Sequence, residues 1–146
     1  MGTSIFTILE FQFKSSPFKV RYCETDQMGF VHHSNYFIYF EAARLEWLSK
    51  LGISYKKMEE KGILLPVIYS EIKYLLPLKF DDIFVVKVGI NELPVSRLKL
   101  NYEIEITKSK KICFGNVHLA FLNKFKQVPV RAPDNLALVF KKNYEL

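Results

Sequence analysis

Phe18-Lys19-Val20-Arg21-Tyr22 alternates apolar and charged side chains, the period-two pattern of a strand with one buried face. A polar stretch containing Gly29 follows, from Glu24 to His33, and reads as a loop. From Asn35 the period changes. Tyr36, Phe37, Ile38, Tyr39, Phe40, Ala42, Ala43, Leu45, Trp47, Leu48 and Leu51 place apolar groups round most of a helix. Ser34 or Asn35 is its predicted cap and Gly52 its predicted end. A helix this apolar must be wrapped by other elements. The second half of the chain offers them: 66–76, 83–93, 97–107 and 112–122 read as strands, the third with strict alternation through Leu98, Leu100, Tyr102, Ile104 and Ile106. Turn-like segments at 91–96 and 108–111 predict antiparallel neighbours. A short helix is expected from Asp134, with Pro133 at its start, and 1–16 carries no assignable element. The expected class is α+β, an antiparallel sheet curved round one long helix.

The 146 residues carry no repeat or linker-like tract, so 1–146 is expected to be a single domain. Apolar runs such as 63–69 are far shorter than the ~20 residues needed to span a bilayer, so no membrane span is expected. A net charge of +6 favours an anionic partner. Its cations are scattered, in pairs such as Lys56-Lys57 and Lys141-Lys142, and no basic block or stacking stripe marks a nucleic-acid surface. Cys23 and Cys113 are too far apart for a metal or redox pair. They read as reduced, packed thiols, and no metal or other cofactor is expected. The first residues lack the basic start and apolar run of a secretory leader, which predicts a cytoplasmic location.

Chemistry concentrates between Tyr22 and Tyr36. Glu24, Asp26, His32, His33 and Gly29 all fall between a strand and the start of the apolar helix, the kind of loop that carries reactive groups. A helix N-terminus offers unpaired N–H donors and partial positive charge, suited to a carbonyl oxygen gaining negative charge. Acid/base groups beside such donors make an acyl-transfer site. A structural reading competes: Asp26 as a turn cap, the imidazoles as surface groups, Gly29 as a positive-φ residue. Spacing by itself leaves both open.

Tyr22-x-x-x-Asp26-x-x-Gly29-x-Val31-x-His33-x-Asn35-Tyr36, followed by Tyr39-Phe40-Glu41-x-x-Arg44-x-Glu46-Trp47-Leu48, closely resembles the 4-hydroxybenzoyl-CoA thioesterase-like family of hotdog-fold acyl-CoA hydrolases. It looks most like the bacterial branch associated with the Tol-Pal system. The resemblance runs from about Phe18 to Pro133 and includes 62–67, Tyr74 and Asp81-Asp82. It implies a catalytic role for Asp26, as nucleophile or as base for water. His33 and Tyr22 match the assisting residues of the Tol-Pal-associated branch, and the His33 amide matches the donor that polarises the thioester carbonyl. His32 has no counterpart. The implied substrate-binding residues are Asn35 and Tyr36 at the helix entrance, Leu65, Pro66 and Val67 along an acyl tunnel shared with a second subunit, and Arg97 at the coenzyme A nucleotide. Arg131 is a further nucleotide candidate. Homodimers or dimers of dimers are implied, with coenzyme A present as part of the substrate.

The expected activity is therefore hydrolysis of an acyl-CoA thioester, a reaction whose good thiolate leaving group needs no metal. A hotdog hydratase or dehydratase fits the His/Asp spacing poorly. A non-catalytic acyl-binding or scaffold module would bind acyl-CoA without releasing thiol. Glu41 and Glu46 lie on the apolar helix, and in another hotdog branch a helix glutamate is the nucleophile; with Asp26 in that role here, Glu41 is expected to pair with Arg44, or either glutamate with a neighbouring subunit.

Overall fold

The structure, a computed structural model, describes residues 11–146; the leader reading of the first residues falls largely on 1–10, outside them. Two short strands, β1 (Phe13–Lys14) and β2 (Phe18–Lys19), lead into a 3-10 turn at Tyr22–Glu24. Helix α1 (Ser34–Lys50) and the shorter α2 (Tyr55–Glu60) follow. The chain continues through β3 (Ile63–Leu64), β4 (Val67–Tyr74), β5 (Ile83–Gly89), β6 (Arg97–Thr107) and β7 (Lys110–Ala120). A small hairpin, β8 (Leu122–Asn123) and β9 (Val128–Pro129), precedes α3 (Asp134–Asn143).

The main sheet has the order β1-β5-β6-β7-β4, with β2 also pairing with β5, and every pairing is antiparallel. The alternation in β6 places Leu98, Leu100, Tyr102 and Ile104 in the core on the face that carries α1, while Lys99, Glu103 and Glu105 lie on the opposite face. The buried side of α1, through Tyr36, Tyr39, Phe40, Ala43, Trp47 and Leu48, fills the sheet's concave face. This is the hotdog architecture expected from the resemblance. Apolar burial of this kind is worth about 1.5–3 kcal/mol for each large side chain.

Several expected boundaries shift. The first strand ends at Lys19, because the chain turns through Tyr22–Glu24 instead of extending. The strand expected at 83–93 stops at Gly89, and that expected at 66–76 runs Val67–Tyr74. Neither Ser34 nor Asn35 caps α1: His33 occupies the cap position, and the imidazole of His32 accepts from the Ser34 amide. The other end is as expected, since Gly52 at φ +82° turns the chain out. Gly52 donates to Ser49 at 3.0 Å and Ile53 to Leu48 at 2.8 Å, which satisfies carbonyls the helix leaves open. Nor is α1 wrapped on all sides: Ile38 is 60% exposed and Leu45 38%. Cys113 is packed as expected, but Cys23 is exposed on the 3-10 turn.

Gly115 sets the distance between sheet and helix. It lies opposite Tyr102 on β7, and a Cβ there would run into the edge of the Phe40 ring and come 3.2 Å from the Glu71 carbonyl. Phe40 cannot yield freely, because it stacks on Tyr102 with ring centroids 4.3 Å apart. Gly115→Ala is expected to destabilise the fold by about 1–3 kcal/mol, the cost of overpacking a filled core. Urea denaturation of both proteins measures it.

Candidate active site

The loop between the 3-10 turn and α1 is held by one buried carboxylate. Glu24 Oε1 accepts from the Arg21 amide at 2.8 Å and the Tyr39 hydroxyl at 2.9 Å, and Oε2 accepts from the Arg21 guanidinium at 3.1 and 3.2 Å. The Glu24 carbonyl accepts from the His32 amide at 2.8 Å and the Asn35 side chain at 2.9 Å. One residue thereby ties the turn, the loop and two turns of α1 together. Burial pushes its carboxyl up, but the hydrogen bonds from Arg21 and Tyr39 outweigh this and leave it below the usual glutamate range. Burial, and then donation to Glu24, raises the Tyr39 hydroxyl in turn.

Asp26 sits at the next bend. Its Oδ1 accepts from the Met28 amide at 2.9 Å and the Phe30 amide at 3.2 Å. The Asp26 amide donates to the Phe30 carbonyl at 2.7 Å, and Gly29, at φ +80°, supplies the left-handed turn that closes the loop. Asp26 Oδ2 has no hydrogen-bond partner among the described residues. The carboxylate lines a cleft of about 320 Å³ together with Phe30, Val31, Tyr36, Tyr74 and Leu76. Tyr36 and Tyr74 meet edge to face at 5.1 Å, and burial raises both phenols. The cleft is thus an apolar slot with one half-buried carboxylate at its rim.

Apart from Tyr36, the other expected residues do not line this cleft. His33 is exposed at the start of α1, its ring 4.3 Å from that of His32. Its backbone N–H has no acceptor among the described residues. Asn35 faces the Glu24 carbonyl. Tyr22 is 77% exposed and packs edge-on against Phe80. Val67 lines a second cleft, of about 260 Å³, between α1 and β4, with Phe37, Phe40, Glu41, Arg44 and Ser70. Leu65 and Pro66 precede it at the entry to β4. Arg44 is buried there, 3.8 Å from Glu41 and over the Tyr55 ring, which accords with the expected Glu41–Arg44 pairing. Arg97 lies on a third, exposed cleft with Glu92 and Lys99. Lys99 pairs with Glu92 at 3.5 Å, whereas Arg97 has no carboxylate partner among the described residues. His118, across from Lys99, is lowered by burial and then by the charges of Lys99 and Arg97. Arg131 is on the exposed stretch after β9.

Glu24 and His32 stand in the polar stretch that the sequence singles out, but reading the sequence assigns neither of them a role. An Arg21-x-x-Glu24 spacing is compatible with a capped turn, but nothing in the sequence indicates that this glutamate is buried. Glu24, Glu71 and Glu105 are all held below the usual glutamate range: burial opposes it for Glu24 and Glu105 and is outweighed by their partners, while for Glu71 the Tyr69 hydrogen bond leads. The unfolded chain therefore takes up protons first on acidification. Stability from these groups is complete above the unfolded value of 4.5 and drains as pH falls through their lowered folded values. Thermal melts from pH 7 downward should be flat and then fall below that point, with a shallower fall in Glu24→Gln.

Among the described residues no cluster of three His, Cys, Asp or Glu side chains could hold a metal ion, and no described helix is long and apolar enough to cross a membrane. Known proteins share both fold and sequence. The structure of DHNA-CoA thioesterase from Staphylococcus aureus superposes with a TM-score of 0.82 at 31% identity, covering 88% of this chain and 89% of that one. A protein of Aquifex aeolicus named as an esterase is 44% identical over 75 residues, and YneP of Bacillus subtilis is 40% identical over 86 residues. Those matches cover 51% and 59% of this chain, and span only 59% and 62% of the two relatives' own lengths. The model of the thioesterase-like superfamily matches residues 20–140, a span that holds α1, the full length of β4 to β7 and the Asp26 loop. The chain belongs to the thioesterase-like superfamily.

Proposed function

We propose that the protein hydrolyses acyl-CoA thioesters to the free acid and coenzyme A. The observation that carries this reading is the carboxylate of Asp26, pinned through Oδ1 by two amides with Oδ2 left open at an apolar cleft. The acyl group lies in the cleft against Tyr36 and Tyr74. Oδ2 attacks the thioester carbon directly, or takes a proton from a water whose oxygen attacks that carbon. The carbonyl oxygen, as it becomes negative, is met by the unpaired His33 amide at the positive end of α1. Collapse of the tetrahedral species expels coenzyme A thiolate, leaving the free acid where water attacked, or an acyl-Asp26 anhydride that a second step with water cleaves to the acid. His33 and Tyr22 assist at the rim, an assignment supported by their match to the Tol-Pal-associated branch, to which we assign the chain. Arg97, which has no carboxylate partner among the described residues, meets the nucleotide phosphates, and the protein works in the cytoplasm.

The working unit is a homodimer, alone or paired into a tetramer. Strand β4 supports this: it ends the sheet with Val67, Ile68, Tyr69 and Tyr74 about half exposed, a free apolar edge of the kind that another strand covers. A second copy on that edge would bring Leu65, Pro66 and Val67 to the first copy's acyl cleft.

The test is release of free thiol from a panel of short, long and aromatic acyl-CoAs, followed with a thiol reagent. Turnover of at least one substrate class is expected. Binding without thiol release would overturn the reading in favour of an acyl-binding module. Label left in Asp26 after a single turnover in labelled water identifies direct attack, and where the label is found only in the product, trapping of an acyl-enzyme decides between the two routes.

A further inference from the structure

We propose that His32 is a positioning residue of this site: its imidazole caps the first turn of α1 and thereby fixes the His33 amide. The inference rests on the hydrolase reading above for its catalytic half. His33 occupies the cap position of α1 but makes no side-chain cap bond, so the helix would begin with its first amides open. The residue before it supplies the cap. Nδ1 of His32 accepts from the Ser34 amide at 3.2 Å and lies 2.8 Å from Ser34 Oγ. The main chain of His32 is fixed as well, since its amide donates to the Glu24 carbonyl at 2.8 Å and its carbonyl accepts from the Asn35 amide at 2.9 Å.

Acceptance from an amide requires Nδ1 to carry a lone pair, so the ring proton sits on Nε2. Nδ1 stands at the same bond separation from Cα as the Oδ1 of asparagine, which makes this imidazole a stand-in for the usual Asn or Asp at a helix start. Unlike asparagine it also offers a ring face, on which the His33 ring lies at 4.3 Å and 30°. His32 therefore holds both sides of His33, the amide through the helix start and the ring through contact. The unpaired His33 N–H keeps its direction only while the turn that begins at Ser34 stays closed. A donor displaced by even about 1 Å can cost on the order of 100-fold in rate.

The experiment compares three variants with the wild type. His32→Leu removes cap and ring contact, His32→Tyr keeps a ring without the acceptor, and His32→Asn keeps an acceptor without the ring. Acyl-CoA turnover is measured together with hydrogen exchange at the Ser34 amide. In the Leu and Tyr variants kcat should fall about 10- to 100-fold with KM unchanged, and Ser34 should exchange faster. In His32→Asn most of the turnover and the Ser34 protection should return. Wild-type exchange at Ser34 in the Leu variant overturns the cap. Full activity in the Tyr variant, or loss of activity in the Asn variant with Ser34 protected, overturns the cap as the source of positioning. A wild-type protein that releases no thiol overturns the hydrolase reading and the catalytic half of this inference, while Ser34 exchange still decides the cap.

Discussion

Asp26→Asn is expected to lower acyl-CoA turnover by about 100- to 10,000-fold, the range contributed by a positioned acid/base group, without loss of folded structure. The two oxygens of Asp26 have separate tasks. Oδ1 accepts from the amides of Met28 and Phe30, and an asparagine carbonyl oxygen can accept both. Only the free oxygen facing the cleft changes, from a carboxylate oxygen to an amide nitrogen that can neither attack nor take a proton. Loop, cleft and substrate affinity should survive, so the loss should appear in kcat. Steady-state kinetics with thermal melting of the same samples checks this. Near-normal kcat in the variant would remove Asp26 from the reaction, and a large drop in melting temperature would make it a structural residue.

The largest effect on stability is expected at Trp47. Fully buried on α1, its ring stacks with Phe13, lies 5.1 Å from the Phe140 ring and 6.0 Å from that of Tyr144, and its Nε1 donates to the Tyr144 hydroxyl at 3.0 Å. It therefore joins α1 to β1 on one side and to α3 on the other. Trp47→Ala should cost about 3–5 kcal/mol, the range for emptying a large aromatic site. Trp47→Phe keeps most of the contact and loses only the hydrogen bond and part of the ring, so its cost should be much smaller. Urea denaturation with an unchanged m-value reads both as changes in stability.

The elements found by reading the sequence are those whose periodicity is long enough to be distinctive. The β6 alternation and the apolar run of α1 each extend over several turns or residue pairs, and both lie where expected. The missed elements, β1, α2, β3 and the β8–β9 hairpin, are too short to carry a period. Of these, α2 is held locally by Ser54 Oγ accepting from the Lys57 amide. The start of α1 was misjudged for a chemical reason: Ser and Asn are the usual caps, whereas here a histidine nitrogen takes the part. At the site, the Asp26 loop stood out through its unusual density of polar groups. The part played by Glu24 is not legible there, because a buried glutamate and an exposed one look alike until Tyr39, a full loop away in sequence, is seen donating to it. The spacing of Cys23 from Cys113 excludes a metal or redox pair but does not place Cys23 inside, and its turn lies on the surface.

The order of the main sheet also sets a sequence of events during synthesis. β4 leaves the ribosome before β5, β6 and β7, yet its ladder is with β7, Val67 opposite Leu119 and Tyr74 opposite Cys113. The β5–β6–β7 meander closes from neighbouring segments, whereas β4 must wait for a strand that is made much later. Pairing of this kind is slow because distant chain segments have to meet before any contact rewards them. Until β5 and β6 emerge to meet Tyr39 and Phe40 through Phe84 and Tyr102, the apolar side of α1 has no roof, and β7 and β4 complete that roof only afterwards. A chain cut short before β7 would keep the whole Asp26 loop and still leave β4 without its partner and Phe40 without Gly115 beside it.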